Sequence, residues 1–124
     1  MEKHNRRVVV TGMGAVTPLG QTVDQFWSAL VKGNSGVGPI TLCDPTGFPS
    51  QIAGEVKNFD PTQYVSPKES RRMARFSQLA VAAAGLAIED ANLNLSKSDP
   101  ERMGVIIGNG NGGFPTTEEN ARTL

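Results

Sequence analysis

Two glycine clusters, one cysteine, one histidine and a run of four cations are the residues of this 124-residue sequence whose type and spacing could do chemistry. Gly12-Met13-Gly14-Ala15-Val16-Thr17 and Gly108-Asn109-Gly110-Asn111-Gly112-Gly113 each follow an apolar run, where backbone amides at a strand-to-helix turn can cradle a phosphate. The first cluster has Thr17 where a dinucleotide fingerprint needs its third glycine, and the next helical pattern starts too late, near Val23, so a structural turn is the simpler reading. The second matches G-x-G-x-x-G, but Pro115 delays the helix that would face the phosphate, and the sequence ends before the acidic residue expected about 20 positions on. Cys43 would need a cationic neighbour or a helix N-terminus to become a thiolate, and it precedes Asp44-Pro45 in a loop, as a packed thiol can. His4 sits in a polar N-terminal tail, so no Ser-His or Cys-His pair is available. Glu89-Asp90 and Glu118-Glu119 read as solvated carboxylates near helix ends. With one cysteine and one histidine, neither a disulfide nor a multi-cysteine metal site is expected, and nothing calls for a cofactor.

Charge carries more information. Lys68, Arg71, Arg72 and Arg75 recur at i, i+3, i+4 and i+7, which places four cations on one face of a continuous helix. Residues 61–75 hold these four against Glu69, a net +3, whereas residues 76–124 hold three basic and six acidic residues, a net −3. The overall balance of 12 basic and 12 acidic residues conceals this polarity. The stripe is either a solvated face or a surface that steers an acidic partner. A neutral total argues against a nucleic-acid partner held by bulk positive charge. The longest apolar run, residues 79–88, has ten residues, half of the roughly 20 a membrane helix needs. Residues 1–7 lack a signal-peptide core, so neither membrane nor export is expected and cytoplasm is the default.

The elements that must position these residues follow from pattern. Arg7-Val8-Val9-Val10-Thr11-Gly12 and Met103-Gly104-Val105-Ile106-Ile107-Gly108 are short β-branched runs bounded by glycine, which predicts two strands buried on both faces. Thr22-Val23-Asp24-Gln25 has capping-box spacing, and Val23, Phe26, Trp27, Leu30 and Val31 form one apolar stripe ending at Gly33. Residues 34–55 read mostly as loop, with a turn at Asp44-Pro45-Thr46-Gly47 and a brief strand at 52–56. Asp60-Pro61 opens a short helical turn. Ser66-Pro67-Lys68-Glu69 starts a helix running to about Ala91, with a possible break near Arg75. Phe76, Ala80, Ala83, Ala87 and Ala91 share one stripe of that helix, small enough for close approach to a sheet, and the helix is expected to be largely buried. A last helix begins near Thr116. Strand, helix, helix, strand is the pattern of an α/β layer with a parallel sheet, yet two strands cannot make a covered sheet, so the chain is expected to be part of something larger.

The stretch Arg6-Arg7-Val8-Val9-Val10-Thr11-Gly12-Met13-Gly14-Ala15-Val16-Thr17-Pro18-Leu19-Gly20, the Trp27 helix ending in Lys32-Gly33-Asn34-Ser35-Gly36, and Ile107-Gly108-Asn109-Gly110-Asn111-Gly112-Gly113 resemble the start of a β-ketoacyl-[acyl carrier protein] synthase, most closely synthase II of fatty acid elongation. The resemblance covers essentially all of residues 1–124, which would be the N-terminal part of one synthase domain, about a third of such an enzyme. It implies a thiolase-like α/β fold, two related halves in an α-β-α-β-α sandwich assembled as a homodimer. The implied acyltransferase reaction loads an acyl group from a carrier-protein thioester onto a cysteine, then decarboxylates malonyl-carrier and forms a carbon-carbon bond. In the family that cysteine and two histidines come later in the chain, and neither Cys43 nor His4 falls at a motif position, so no catalytic residue is carried over and this chain alone is expected to be inactive. Lys68, Arg71 and Arg72 match the basic helix that contacts acyl carrier protein, with Arg75 continuing the stripe. Gly108, Gly110, Asn111, Gly112 and Gly113 match a loop near the acyl pocket and dimer interface. Asn111 stands where elongating synthases usually place an apolar gate, which implies a preference for shorter or more polar acyl groups. A different class of protein also fits: a non-catalytic, synthase-like partner that determines chain length.

Overall fold

The computed structural model describes residues 7–110 and 112–123. Helix α1, Val23–Val31, has the ends its sequence requires. The Thr22 hydroxyl accepts the Gln25 N–H at 3.2 Å, and the Gln25 side chain reaches back to the Gln21 N–H at 3.0 Å. At the other end Gly33 takes φ +69°, its N–H donates to Leu30 O at 2.9 Å and the Asn34 N–H donates to Ala29 O at 3.0 Å, a Schellman closure.

Residues 37–54 form a small antiparallel hairpin of β1, Val37–Pro39, and β2, Ile52–Gly54, with Val37 opposite Gly54 and Pro39 opposite Ile52. The sequence pattern anticipated β2 and the Asp44 turn, where Asp44 Oδ1 accepts from the Thr46 N–H and hydroxyl at 3.0 and 2.7 Å. It missed β1, because Val-Gly-Pro lacks the β-branched alternation of a strand. Glu55 closes the hairpin's long connection. Its carboxylate, almost fully buried, accepts from Thr41 N–H (2.9 Å), the Thr41 hydroxyl (2.6 Å) and Leu42 N–H (3.0 Å). The Thr41 bonds hold its pKa below the ordinary carboxylate value.

A 3-10 turn at Pro61–Gln63 is capped by Asp60, and α2, Pro67–Ser70, opens with a full capping box between Ser66 and Glu69. The helix then breaks. Arg71 to Met73 form a turn, Ala74 is extended, and α3 spans Arg75–Asp90. Helix α4, Phe114–Arg122, starts earlier than expected: Gly113 in the left-handed region reverses the chain and Pro115 falls in the first turn, where its missing N–H leaves no bond unmade.

The expected parallel sheet does not form among the described residues. Residues 7–16 and 103–110 form no regular element and pair with no strand, with Val8 92%, Val105 86% and Ile106 99% exposed. A β-branched run becomes a strand only when a neighbour satisfies its backbone, and the described residues provide no such ladder. Helix α3 is likewise not largely buried: Ala82 is enclosed, one flank is half-buried and Ala84 and Gly85 are open. The accessible surface, 10572 Å², greatly exceeds the roughly 6400 Å² of a compact monomer of this mass.

The small-residue flank of α3, expected to approach a sheet, meets the N-terminal segment instead. The chain at residues 12–14 crosses the small-residue flank of α3 so closely that a Cβ on Gly14 would overlap Ala83 O and lie 2.7 Å from Ala87 N, and one on Gly12 would lie 2.5 Å from Ala91 N. The Met13 N–H, between the two glycines, donates to Asp90 Oδ2 at 2.8 Å. Asp90, exposed as expected, is therefore also a tether joining the N-terminal segment to the end of α3.

Candidate functional site

The basic residues lie at the α2–α3 junction, and the break there redistributes them. Lys68 is on α2, Arg71 is its C-cap, Arg72 is in the turn and Arg75 opens α3, so the four do not share one helical face. The i, i+3, i+4, i+7 spacing gives a single face only on a continuous helix, and the break expected near Arg75 is present just before it.

Lys68, Arg71 and Arg72 are exposed, and among the described residues the only ion pair is elsewhere, Arg122 with Glu118 at 2.5 Å. The Arg71 Nε–H donates to Pro67 O at 3.1 Å, which leaves the outer guanidinium nitrogens available. Glu69, the one anion in the segment, is occupied by Ser66: its Oε2 accepts from the Ser66 hydroxyl at 2.5 Å and N–H at 3.2 Å, and these bonds lower its pKa. Its geometry therefore serves the cap, and three cations face solvent around it.

Arg75 is committed differently. Its Nη2 donates to Val56 O at 2.5 Å and its guanidinium lies 5.7 Å from the centroid of Phe59, a buried ring stacked on Tyr64 at 6.1 Å. This arginine, itself exposed, ties α3 to the segment after β2.

The second candidate is the glycine-rich loop. Gly108 and Gly110 have open space where a Cβ would stand, whereas Gly112 and Gly113 lie against the Phe76 ring, with a Cβ at Gly112 meeting Cδ1 at 2.9 Å. Glycine is thus demanded at the end of the loop, by Phe76 and by the φ of +81° at Gly113. Asn111 lies outside the described residues. An apolar cleft of about 570 Å³ separates α3 from this segment, lined by Phe76, Ala80, Ala84 and Ile88 on one side and Val105 and Ile107 on the other. Sequence reading found the loop but not its partner, Phe76, which was assigned only to a helix stripe.

Cys43 joins neither site: it is exposed in the connection between β1 and β2, beside Asp44, and not the packed thiol expected, while His4 lies outside the described residues. Among the described residues no group of three His, Cys, Asp or Glu side chains could hold a metal ion, and no helix is long and apolar enough to cross a membrane.

The architecture is of the ketosynthase class. The chain superposes on the ishigamide ketosynthase/chain length factor with a TM-score of 0.65 and 39% identity, over 73% of this chain and 23% of that one. It belongs to the β-ketoacyl synthase family, matching the family's N-terminal domain over residues 5–124. Among curated relatives, 3-oxoacyl-[acyl-carrier-protein] synthase 2 of Coxiella burnetii is 48% identical over all 124 residues, which span 30% of that protein. The protein of the same name in Synechocystis is 44% identical over 119 residues, 96% of this chain and 29% of that one. The chain therefore spans about 30% of the length of these relatives.

Proposed function

We propose that residues 1–124 form the N-terminal part of a condensing acyltransferase of fatty acid or polyketide elongation, and that their part in the reaction is to receive acyl carrier protein and shape one side of the acyl site. The observation that carries this reading is the set of exposed cations Lys68, Arg71 and Arg72 on a capped turn, within a chain whose relatives are named for carrier-protein substrates.

The complete enzyme transfers an acyl group from the carrier thioester to its own cysteine, then couples it to malonyl-carrier with loss of carbon dioxide. That cysteine, with the two histidines the family uses, is supplied from outside residues 1–124. The three cations attract an acidic carrier over about 10 Å at 0.1 M salt and orient it as it docks. The loop at residues 108–113 and the cleft beside Phe76 border the acyl pocket and the homodimer interface, and the later strands of the same half of a thiolase-like sandwich complete the sheet begun by residues 7–12 and 103–108 and cover the open face of α3. The excess of accessible surface supports this reading, since an isolated domain would not leave it uncovered. The cytoplasm suits such an enzyme.

A second reading has one observation in its favour: the solved neighbour pairs a ketosynthase with a chain length factor, and residues 1–124 fit either kind of subunit. The two differ in whether an acyl-accepting cysteine lies beyond residue 124. The test of docking is turnover of carrier-bound against carrier-free pantetheine thioesters by the complete protein with Arg71→Glu and Arg72→Glu. Exposed ion pairs contribute up to about 1 kcal/mol each, so reversing both should lower kcat/KM for carrier-bound substrate about tenfold at low salt. Turnover of the carrier-free thioester should stay unchanged. Equal loss with both substrates would remove the docking role.

A further inference from the structure

The α2–α3 break that carries the cations is held by the side chains of Gln78 and Arg75. The turn after α2 satisfies Glu69 O and Ser70 O with the Arg72 and Met73 N–H groups at 2.9 and 3.3 Å, but the chain is extended at Ala74 and leaves Met73 O without a backbone donor among the described residues. The Gln78 amide fills this gap from the first turns of α3: its Nε2 donates to Ser70 O at 2.8 Å and to Met73 O at 3.2 Å. One side chain thus bridges both ends of the turn containing Arg71 and Arg72. Arg75 ties the same junction to the body of the protein through Val56 O and Phe59. Ser66 and Glu69 fix the upstream side of α2.

We infer that Gln78 and Arg75 are positioning residues for the docking cations: Gln78 sets the geometry of the turn and Arg75 sets its orientation on the protein. This rests on the docking reading of Lys68, Arg71 and Arg72. Long-range attraction depends on how many charges are present, but close docking depends on where they stand. A turn whose shape is fixed in advance spares the complex the cost of ordering it. Arg75 fits this role better than that of a fourth docking charge, since one of its terminal nitrogens and the face of its guanidinium are already engaged.

The test uses the complete enzyme with Gln78→Met, which keeps side-chain length but removes both donors, and Arg75→Lys, which keeps the charge but loses the planar group over Phe59. Each should raise KM for carrier-bound substrate about three- to tenfold, the factor expected when one or two long side chains must be ordered on binding. Turnover of carrier-free thioester should be unchanged, and so should the salt dependence of the encounter rate, since the number of cations is unchanged in Gln78→Met and Arg75→Lys alike. If both variants keep wild-type KM while the Arg71→Glu/Arg72→Glu enzyme does not, the positioning role is overturned and docking stands. If the double reversal also has no effect, the docking reading falls first. Equal loss with carrier-free substrate would show a merely structural role and would also overturn the inference.

Discussion

Gly14→Ala and Gly85→Ala should change stability in opposite directions, because the same added methyl meets a wall in one place and space in the other. At Gly14 a Cβ would overlap the carbonyl oxygen of Ala83 and stand 2.7 Å from Ala87 N, both backbone atoms of α3. Neither can rotate aside, so the N-terminal segment must lift from the helix. The lift also strains the bond from Met13 N–H to Asp90. Overpacking of this kind costs typically about 1–3 kcal/mol. At Gly85, inside α3, no atom lies within 4 Å of a Cβ, and replacing a mid-helix glycine by alanine gains about 0.8–1 kcal/mol of helix propensity. Urea unfolding followed by circular dichroism, with amide exchange read along α3, measures both. Gly14→Ala should lower the midpoint and speed exchange near Ala83 and Ala87, and Gly85→Ala should raise it. A Gly14→Ala protein as stable as wild type would refute the close crossing. The measurement repeated in the complete enzyme has a second use: if Gly85→Ala is destabilising there, the open flank of α3 is covered by another part of the protein.

Glu55 predicts an acid-labile hairpin. Its carboxyl is more acidic folded than unfolded, so its contribution is complete above the ordinary value of 4.5 and is lost as pH falls below that, through the lower folded value. Amide exchange at Thr41 and Leu42, corrected for intrinsic rates, should accelerate in that window in wild type, and Glu55→Gln should abolish the pH dependence; the same dependence in both would contradict the latch. Gly33→Ala should destabilise the end of α1 by about 1 kcal/mol through its positive φ alone, since no atom lies within 4 Å, and Gly33→Asn should recover much of the loss in thermal unfolding.

What the sequence disclosed tracks how locally each feature is determined. The ends of α1, the Asp44 and Asp60 turns and the Ser66 cap are written within a few residues of themselves, and all are present. The alanine flank of α3 was legible as a place of close approach because its side chains are small, but its partner, Gly12 and Gly14 rather than a sheet, was not. The strands at 7–12 and 103–108 were overstated, since a β-branched run records readiness to pair and the partner is distant. The added role of Asp90 had no signal, because its partner, the Met13 backbone N–H, is 77 residues away. Arg75 fitted the cationic stripe by spacing, but the break at residues 71–74 and the ring of Phe59 gave it other work. Gln78 carried no signal, since a glutamine bridging two carbonyls looks like any other on a helix. Family resemblance, not periodicity, is what favours docking over a solvated face as the proposed role of Lys68, Arg71 and Arg72.

The most direct test of the central claim is the rate and position of acyl loading. The complete enzyme, wild type and Arg71→Glu/Arg72→Glu, is mixed with acyl-carrier thioester at low ionic strength, quenched at intervals and mapped by peptide mass spectrometry. Docking by residues 1–124 without a nucleophile among them predicts label on a cysteine beyond residue 124, none on Cys43, and loading about tenfold slower in the double variant. Label on Cys43, or identical loading rates in the two proteins, would contradict it.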